Sequence, residues 1–231
     1  KDPQAATEGA ATPHSLLPDA LALAELGWRI IPVGRNKKPL IRAWPSRATS
    51  DPKQIDDWWT RYPQAQVAVL TGQKGGIVVL DEDVPQGEES RVKLQEYLGV
   101  DLTSVVVETT PSGGRHFFFR YPEGHTIRRR TPIDPRFPKL DLIADNSYVI
   151  VSPSIGENGS YRWEEGASPF DHKIPPFPEP LLEFLLTGRN SQPSGKPSVA
   201  NAIPEGARNS RLTSIAGAMH RQGSSPAVIL S

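Results

Sequence analysis

The sequence predicts an α+β fold built around a largely antiparallel central sheet flanked by helices. Short segments rich in β-branched and aromatic residues follow one another from residue 67 to residue 151, and such segments form strands. Helical patterns precede, interrupt and follow these segments without the strict strand–helix alternation that indicates a parallel α/β sheet. The 231 residues are enough for one sizeable domain with an appendage, or for two small domains.

The first third of the chain predicts two helices on either side of a strand. Apolar residues at helical spacing indicate a helix over 16–26, and Gly27 marks its end. A strand over 28–33 contains Pro32, which favours an edge strand or a bulge. Ser50-Asp-Pro-Lys53 has the N-cap and N1-proline chemistry of a helix start. In that helix we expect one of the adjacent Trp58 and Trp59 to be core and the other partly exposed.

The strands of the sheet are predicted at 67–70, 76–80, 105–108, 116–120, 140–143 and 148–151. A helix over 89–98 interrupts them, and a short helix over 180–186 follows them. We predict a flexible tail at 1–15, a principal domain at 16–187, and a linker rich in Gly, Pro, Ser and Asn at 188–203. Residues 204–231 would begin a helical module. No apolar stretch is long enough to span a bilayer, so we expect no membrane contact.

Composition limits the chemistry that the chain can carry. The 26 Lys and Arg balance the 26 Asp and Glu, so any binding to nucleic acid needs locally clustered charge. Cysteine is absent, which excludes disulfides and cysteine-based zinc sites. Any metal must therefore be held by oxygen or histidine ligands.

A strand that ends in adjacent carboxylates is the first candidate site. In Gly76-Ile-Val-Val-Leu-Asp-Glu-Asp83, alternation along a strand places Asp81 and Asp83 on one face and directs Glu82 away from it, as a bystander. Two carboxylates on one face suit magnesium or manganese, which take oxygen ligands. The alternative is a solvated acidic turn at the end of a strand.

The second candidate is the segment Thr109-Thr-Pro-Ser-Gly-Gly-Arg-His116. Gly113 and Gly114 permit a tight turn whose N–H groups can face an anion. Ser112 and Arg115 add donors suited to phosphate, and His116 begins the next strand. The alternative is an ordinary hairpin with an incidental histidine.

Asp141 is the third candidate, because it lies between leucines within a predicted strand. An acid in an apolar run usually has a partner or a metal. A hairpin would place it in the middle of the sheet, where it could meet Asp81 and Asp83. Asp145, in the following turn, fits ordinary turn chemistry.

Together and in this order, the three segments resemble one family. The strand-ending D-x-D, the T-P-S-G-G-R-H block, and a later Asp followed by Tyr148-Val-Ile-Val151 and Ser152-Pro-Ser154 resemble the primase–polymerase (bifunctional DNA primase/polymerase, N-terminal) family of the archaeo-eukaryotic primase superfamily. The resemblance runs from the first helix to Tyr161-Arg-Trp163. Residues 203–209 are similar to the start of the helical module that often follows this domain in plasmid and phage replication proteins.

The resemblance implies two-metal nucleotidyl transfer on DNA. Asp81, Asp83 and Asp141 match the carboxylates that hold two Mg²⁺ or Mn²⁺ ions. His116 matches the histidine that contacts the triphosphate, in the block that lines the nucleotide. The other members of that block are Ser112, Gly113, Gly114 and Arg115. The implied substrates are a single-stranded DNA template, a primer, and dNTP or NTP, in the cytoplasm of a bacterial, archaeal or phage-infected cell. A helicase region beyond residue 231 is also implied as a possible partner.

Two departures from the family pattern are visible, and the template surface needs its own candidates. The family commonly has an arginine shortly after its third acid, where this chain has Ile143. The usual Gly-Gly before the tyrosine strand is Asn146-Ser147. For DNA we predict the arginine run of 128–130, assisted by basic residues elsewhere, with a solvated loop as the alternative. The DNA-binding candidates are Lys37, Lys38, Arg128, Arg129, Arg130 and Arg136.

Two other functions compete with the polymerase. The first is an inactive primase-like module that binds DNA in a replication or defence complex; retention of all three acids and the histidine disfavours it. The second is a metal-dependent phosphodiesterase that uses the same carboxylates. Incorporation and cleavage assays distinguish them.

Overall fold

The computed structural model describes residues 15–156 and 158–188, which form an α+β domain. Its helices are α1 (Leu17–Glu25), α2 (Trp44–Arg47), α3 (Pro52–Arg61), α4 (Gln86–Leu98) and α5 (Glu179–Thr187). Its strands are β1 (Ile30–Val33), β2 (Gln66–Leu70), β3 (Ile77–Glu82), β4 (Val107–Thr109), β5 (Arg115–Arg120), β6 (Leu140–Ile143), β7 (Tyr148–Ile150), β8 (Ile155–Gly156), β9 (Gly159–Ser160) and β10 (Arg162–Trp163).

Two antiparallel sheets form the centre of the domain. The larger has five strands in the order β10-β4-β5-β3-β6, and the smaller has three in the order β1-β2-β7. The chain passes between them three times, from β2 to β3, from β6 to β7, and from β7 to β10. A two-stranded ribbon, β8-β9, stands beside them.

The five-stranded sheet buries both of its faces, which explains the long apolar runs in its strands. Val79 and Phe118 pack into one core with α1, α3 and the three-stranded sheet. Leu80 and Phe117, one step along each strand, pack into a second core with α4 and α5. Alternate side chains of a strand point to opposite faces. The position of a residue along β3 or β5, rather than its type, therefore decides which core it enters: Val78 and Val79 lie in different cores.

The predicted fold class is confirmed, and the predicted central strands lie within two residues of the observed ones. Helix α4 begins at Gln86, three residues before the predicted start, with Glu88 and Glu89 in its first turn, where acids stabilise a helix N-terminus. The expectation that one of Trp58 and Trp59 would be partly exposed is wrong, because both are buried. Helix α2 and the short strands β8, β9 and β10 were not predicted.

Three predicted segments lie largely or wholly outside the described residues: the tail at 1–15, the linker at 188–203 and the helical module from 204. They remain predictions. Among the helices that the structure describes, none combines the length and apolarity needed to cross a bilayer.

Candidate active site

Three acids, Asp81, Asp83 and Asp141, lie at one end of the five-stranded sheet. Asp81 on β3 lies directly opposite Asp141 on β6 in the antiparallel register, so both side chains point to the same face. Asp83 follows β3 and is held by a hydrogen bond from its own N–H to the Lys139 carbonyl, at 2.9 Å. Asp81 and Asp83 line the same cavity, of about 140 Å³, with His116. Asp141 therefore meets Asp81 as expected, but the expected hairpin and mid-sheet position are wrong, because β6 is an edge strand paired with β3 and the next strand, β7, pairs with β2 of the other sheet.

The charges of this cluster act on one another. Burial alone would raise the pKa of Asp81, but the charge and hydrogen bond of His116, with Lys37 and Arg129, hold that pKa below its usual value. The pKa of Asp141 is raised, chiefly by burial and also by the charges of Asp81 and Asp83, although Thr131 and Arg129 oppose the shift. Mutual repulsion of this kind is what a bound cation would relieve.

His116 lies between two carboxylates. Its Nδ1 is 2.7 Å from Glu108 Oε1, and its Nε2 is 3.5 Å from Asp81 Oδ1. Burial would lower the pKa of His116, but Asp81 and Glu108 together outweigh it and raise the pKa to about 10. The Nδ1 of His116 therefore faces Glu108, and its Nε2 faces Asp81 and the cavity that Asp81 lines.

Glu108 was not singled out from the sequence. It has no exposed surface, and its second oxygen accepts a hydrogen bond from the Ser152 N–H at 2.8 Å. A signal existed, since Glu108 ends the apolar run Val105-Val-Val-Glu108, the same argument that identified Asp141. An acid in an apolar run usually has a partner.

The turn between β4 and β5 borders the cavity. Thr110 and Ser112 line it, and their hydroxyl oxygens are 3.1 Å apart. Gly113 has φ +86°, and its N–H donates to the Thr110 carbonyl at 2.9 Å. That N–H is therefore engaged within the turn, which corrects the expectation that it faces an anion. Gly114 is needed for close packing, because a Cβ there would lie 2.3 Å from the Glu82 carbonyl oxygen.

Arg115 and Glu82 belong to the opposite face of the sheet. Arg115 Nε is 2.8 Å from Glu82 Oε1, and its Nη2 is 2.9 Å from Glu88 Oε1. Glu82 is fully buried and also pairs with Arg91 at 2.6 Å. The structure thus corrects two expectations: Arg115 does not line the cavity beside Asp81, and Glu82 is a buried ion-pair partner rather than a bystander.

The predicted basic residues separate into different environments. Lys37 and Arg129 line a second cavity, of about 310 Å³, which shares Asp81 and His116 with the first. Arg130 instead donates to the Leu185 carbonyl at the end of α5. Arg128 and Lys38 are exposed. Arg136 pairs with Asp134 at 2.8 Å.

The register of residues 127–130 explains this separation. Arg130 and Leu142 exchange backbone hydrogen bonds of 3.0 and 2.9 Å, which adds a short antiparallel bridge beside β6. The Arg130 side chain follows Leu142 to the α5 side. Arg129, one position earlier, points to the other face of the sheet, where the acids lie.

Aromatic side chains line the second cavity. Trp44 packs edge-to-face on Tyr148, with ring centroids 4.9 Å apart, and the Tyr148 hydroxyl donates to the Lys37 carbonyl at 2.8 Å. Tyr161, in contact with His116 at a centroid distance of 6.0 Å, lines both cavities. The site therefore combines clustered acids, two basic side chains and three aromatic rings. The basic side chains are Lys37 and Arg129, and the rings are Trp44, Tyr148 and Tyr161.

The arrangement belongs to a segment that matches a known protein family. Residues 20–180 match the model of the bifunctional DNA primase/polymerase N-terminal domain, Prim-Pol. The chain belongs to the Prim-Pol family. No curated protein matches it. The match covers every side chain of the cluster, and it makes the chain a relative of DNA primases and polymerases.

Prim-Pol domains typically depend on divalent metals, and the chemistry of these residues fits such ions. All three acids offer hard oxygen ligands, as Mg²⁺ and Mn²⁺ prefer. Within 15–156 and 158–188, no three His, Cys, Asp or Glu side chains converge closely enough to form a complete metal site. Mg²⁺ is commonly held by one or two carboxylates together with substrate phosphates and water. The donor set therefore fits a site that substrate completes.

Proposed function

We propose that this Prim-Pol domain is a template-dependent DNA primase and polymerase that acts by two-metal nucleotidyl transfer. The observation that carries the proposal is the pairing of Asp81 and Asp141 across β3 and β6, with Asp83 and His116 beside Asp81 on the same cavity. The substrates would be a DNA template, a primer terminus and a dNTP or NTP.

Asp81, Asp83 and Asp141 would hold two divalent cations, Mg²⁺ or Mn²⁺. When bound, these ions would activate the attacking 3′-hydroxyl and stabilise the leaving pyrophosphate. The strand register would set the relative positions of these ligands, since it places Asp81 directly opposite Asp141. Burial, and also the charges of Asp81 and Asp83, raise the pKa of Asp141. The positive charge of a bound cation would oppose this shift, because it favours the ionised carboxylate.

His116 would donate its Nε2–H to a phosphate oxygen of the incoming nucleotide. The 3.5 Å separation from Asp81 Oδ1 is long for a hydrogen bond, so Nε2 remains available to an acceptor on the substrate. Lys37 and Arg129 border the same space and would neutralise phosphate charge. Ser112, on the rim of the smaller cavity, would add a hydroxyl donor.

The template would cross the basic residues outside the cavity. Arg128 and Lys38 are exposed, and side chains of this type bind nucleic acid phosphates without reading sequence. Arg130 is engaged with α5, so we assign it a smaller share of DNA binding than Arg128 or Arg129. Beyond residue 188, a linker and a helical module remain part of the proposal.

The deciding experiment compares nucleotide incorporation by the wild type, Asp81→Asn and Asp83→Ala on primed and unprimed single-stranded templates. dNTPs and NTPs are supplied separately with Mg²⁺ or Mn²⁺. We expect incorporation by the wild type and loss of it in both variants. Glu89→Gln, which changes an exposed acid on α4 paired with Lys93, is the matched control and should remain active.

The same assay separates the alternatives. Equal inactivity of wild type and variants, with retained binding to single-stranded DNA, would identify a binding module instead. Metal-dependent cleavage of DNA without incorporation would identify a phosphodiesterase.

A further inference from the structure

Glu108 is a buried carboxylate at the site with no role in the proposed reaction. Its side chain has no exposed surface, and burial raises its pKa despite hydrogen bonds from His116 and Ser152. Both of its oxygens are used: Oε1 is 2.7 Å from His116 Nδ1, and Oε2 is 2.8 Å from the Ser152 nitrogen. A buried carboxylate is costly unless such partners offset its desolvation.

We propose that Glu108 is the positioning residue of His116, holding the imidazole so that Nε2 is presented to the triphosphate. The inference rests on the proposed function for the identity of that ligand. An imidazole has two inequivalent nitrogens, and the partner of one decides what the other presents. Because carboxylate Oε1 accepts from Nδ1–H, the ring is fixed and Nε2 points away from Glu108, into the cavity.

Among the described residues, Glu108 is the only hydrogen-bond partner of His116 Nδ1. Phe118 packs edge-on to the ring at a centroid distance of 6.2 Å, and Tyr161 lies at 6.0 Å. These contacts restrict the ring plane but do not distinguish its two ends. Rotation by half a turn would exchange nitrogen and carbon positions with little change in packing, so a hydrogen bond must select the orientation.

Glu108 also couples this orientation to the second sheet. Ser152 follows β7 of the three-stranded sheet, whereas Glu108 and His116 lie on β4 and β5 of the five-stranded sheet. The same carboxylate therefore bonds one residue from each side of the space between the sheets. Any movement that separated β7 from β4 would pull on the group that orients His116.

A double-mutant cycle distinguishes positioning from a purely structural role. Glu108→Gln, His116→Ala and the double variant are compared with wild type in primer extension, with kcat and KM measured for the dNTP. We expect Glu108→Gln to reduce kcat/KM by about 10- to 100-fold, the range for hydrogen-bond partners of metal-bound histidines. In the His116→Ala background, the same change should have less than about a twofold effect, because residues that act as one unit are not additive.

Two results would overturn the proposal in this arm: wild-type kcat/KM for Glu108→Gln, or equal fold-losses with and without His116. Thermal melts identify a variant that fails to fold. The second arm then decides, since it needs only the wild-type protein.

The second arm uses long-range ¹H–¹⁵N NMR of the His116 ring, assigned by its loss in His116→Ala, with inorganic tripolyphosphate as the probe. We expect a strongly hydrogen-bonded Nδ1 that tripolyphosphate leaves unchanged, and a perturbed Nε2. An unprotonated Nδ1, or perturbation at Nδ1 instead of Nε2, would contradict the proposal. If the wild type incorporates no nucleotide, the proposed polymerase function fails, and this arm still judges the role of Glu108.

Discussion

Asp141 on the edge strand β6 lies directly opposite Asp81 on β3 in the antiparallel register, so the two carboxylates share one face of the sheet. Directly opposed like charges destabilise a sheet. His116, and then Lys37 and Arg129, hold the pKa of Asp81 below its usual value against the effect of burial, but the pKa of Asp141 stays raised, by burial first and then by its acidic neighbours. The pair is explained if cations bind there during function.

Divalent metal should therefore stabilise the folded chain. A ligand at ten times its dissociation constant stabilises the native state by about 1.4 kcal/mol, which corresponds to a rise in Tm of roughly 3–6 °C for a domain of this size. We expect that rise with millimolar Mg²⁺ or Mn²⁺, measured by differential scanning fluorimetry. Asp81→Ala combined with Asp83→Ala should abolish it without unfolding the protein.

The control for this measurement is Asp134→Asn, which removes an acid paired with Arg136 away from the cavity. It should respond to metal as the wild type does. A full response of the double variant to metal would place the ions elsewhere.

Removing the buried Glu82 charge should destabilise the domain. Glu82 pairs with Arg91, whose side chain is 8% exposed, so Glu82→Gln leaves a buried guanidinium without its counter-ion. Breaking a buried pair in this way costs about 3–5 kcal/mol, to be measured by urea denaturation. Arg115→Gln should cost less, because the Arg115 side chain is 28% exposed.

The Arg115→Gln variant also tests which face of the sheet the Arg115 side chain occupies. Because Arg115 points away from the cavity, Arg115→Gln should keep the KM for the incoming nucleotide near the wild-type value. A large rise in KM without a loss of stability would restore Arg115 to the nucleotide site.

Sequence reasoning succeeded where local periodicity carries the information. Alternation in β3 and β5 assigns Val79 and Leu80 to different cores, and it places Asp81 away from Glu82. It failed where a partner comes from a distant segment. No residue close to Arg115 in the sequence predicts its contact with Glu88 on α4. No residue close to Glu108 predicts its hydrogen bond with Ser152, 44 positions away.

The basic run shows the same limit. Three consecutive arginines are equivalent by composition, but the bridge between Arg130 and Leu142 assigns neighbouring side chains to opposite faces. Only the backbone pairing beside β6 shows that Arg129 borders the cavity and that Arg130 binds the end of α5.

Gly114→Ala should disrupt the turn that borders the cavity. The added methyl carbon would lie 2.3 Å from the Glu82 carbonyl oxygen, so β3 and the turn must separate. We expect a clear loss of stability in denaturant titration and a lower kcat/KM. Gly113→Ala is the matched control: its nearest contact would be Val84 Cγ2 at 3.6 Å, which leaves only the strain of φ +86°, about 1–2 kcal/mol. Equal stability of Gly114→Ala and wild type would contradict the close packing.

Arg129 and Arg130, adjacent in sequence, should give opposite phenotypes. Arg129 borders the cavity with Asp81 and His116, and a charge-assisted hydrogen bond to phosphate is worth about 1.5–3 kcal/mol. Arg129→Ala should therefore lower kcat/KM for the nucleotide by roughly 10- to 100-fold, while the Tm stays near that of the wild type. Arg130→Ala removes the bond to the Leu185 carbonyl and should lower the Tm with little change in kcat/KM. Steady-state kinetics and thermal melts on the two variants decide, and a kinetic defect confined to Arg130→Ala would reverse the assignment of these side chains to the two faces.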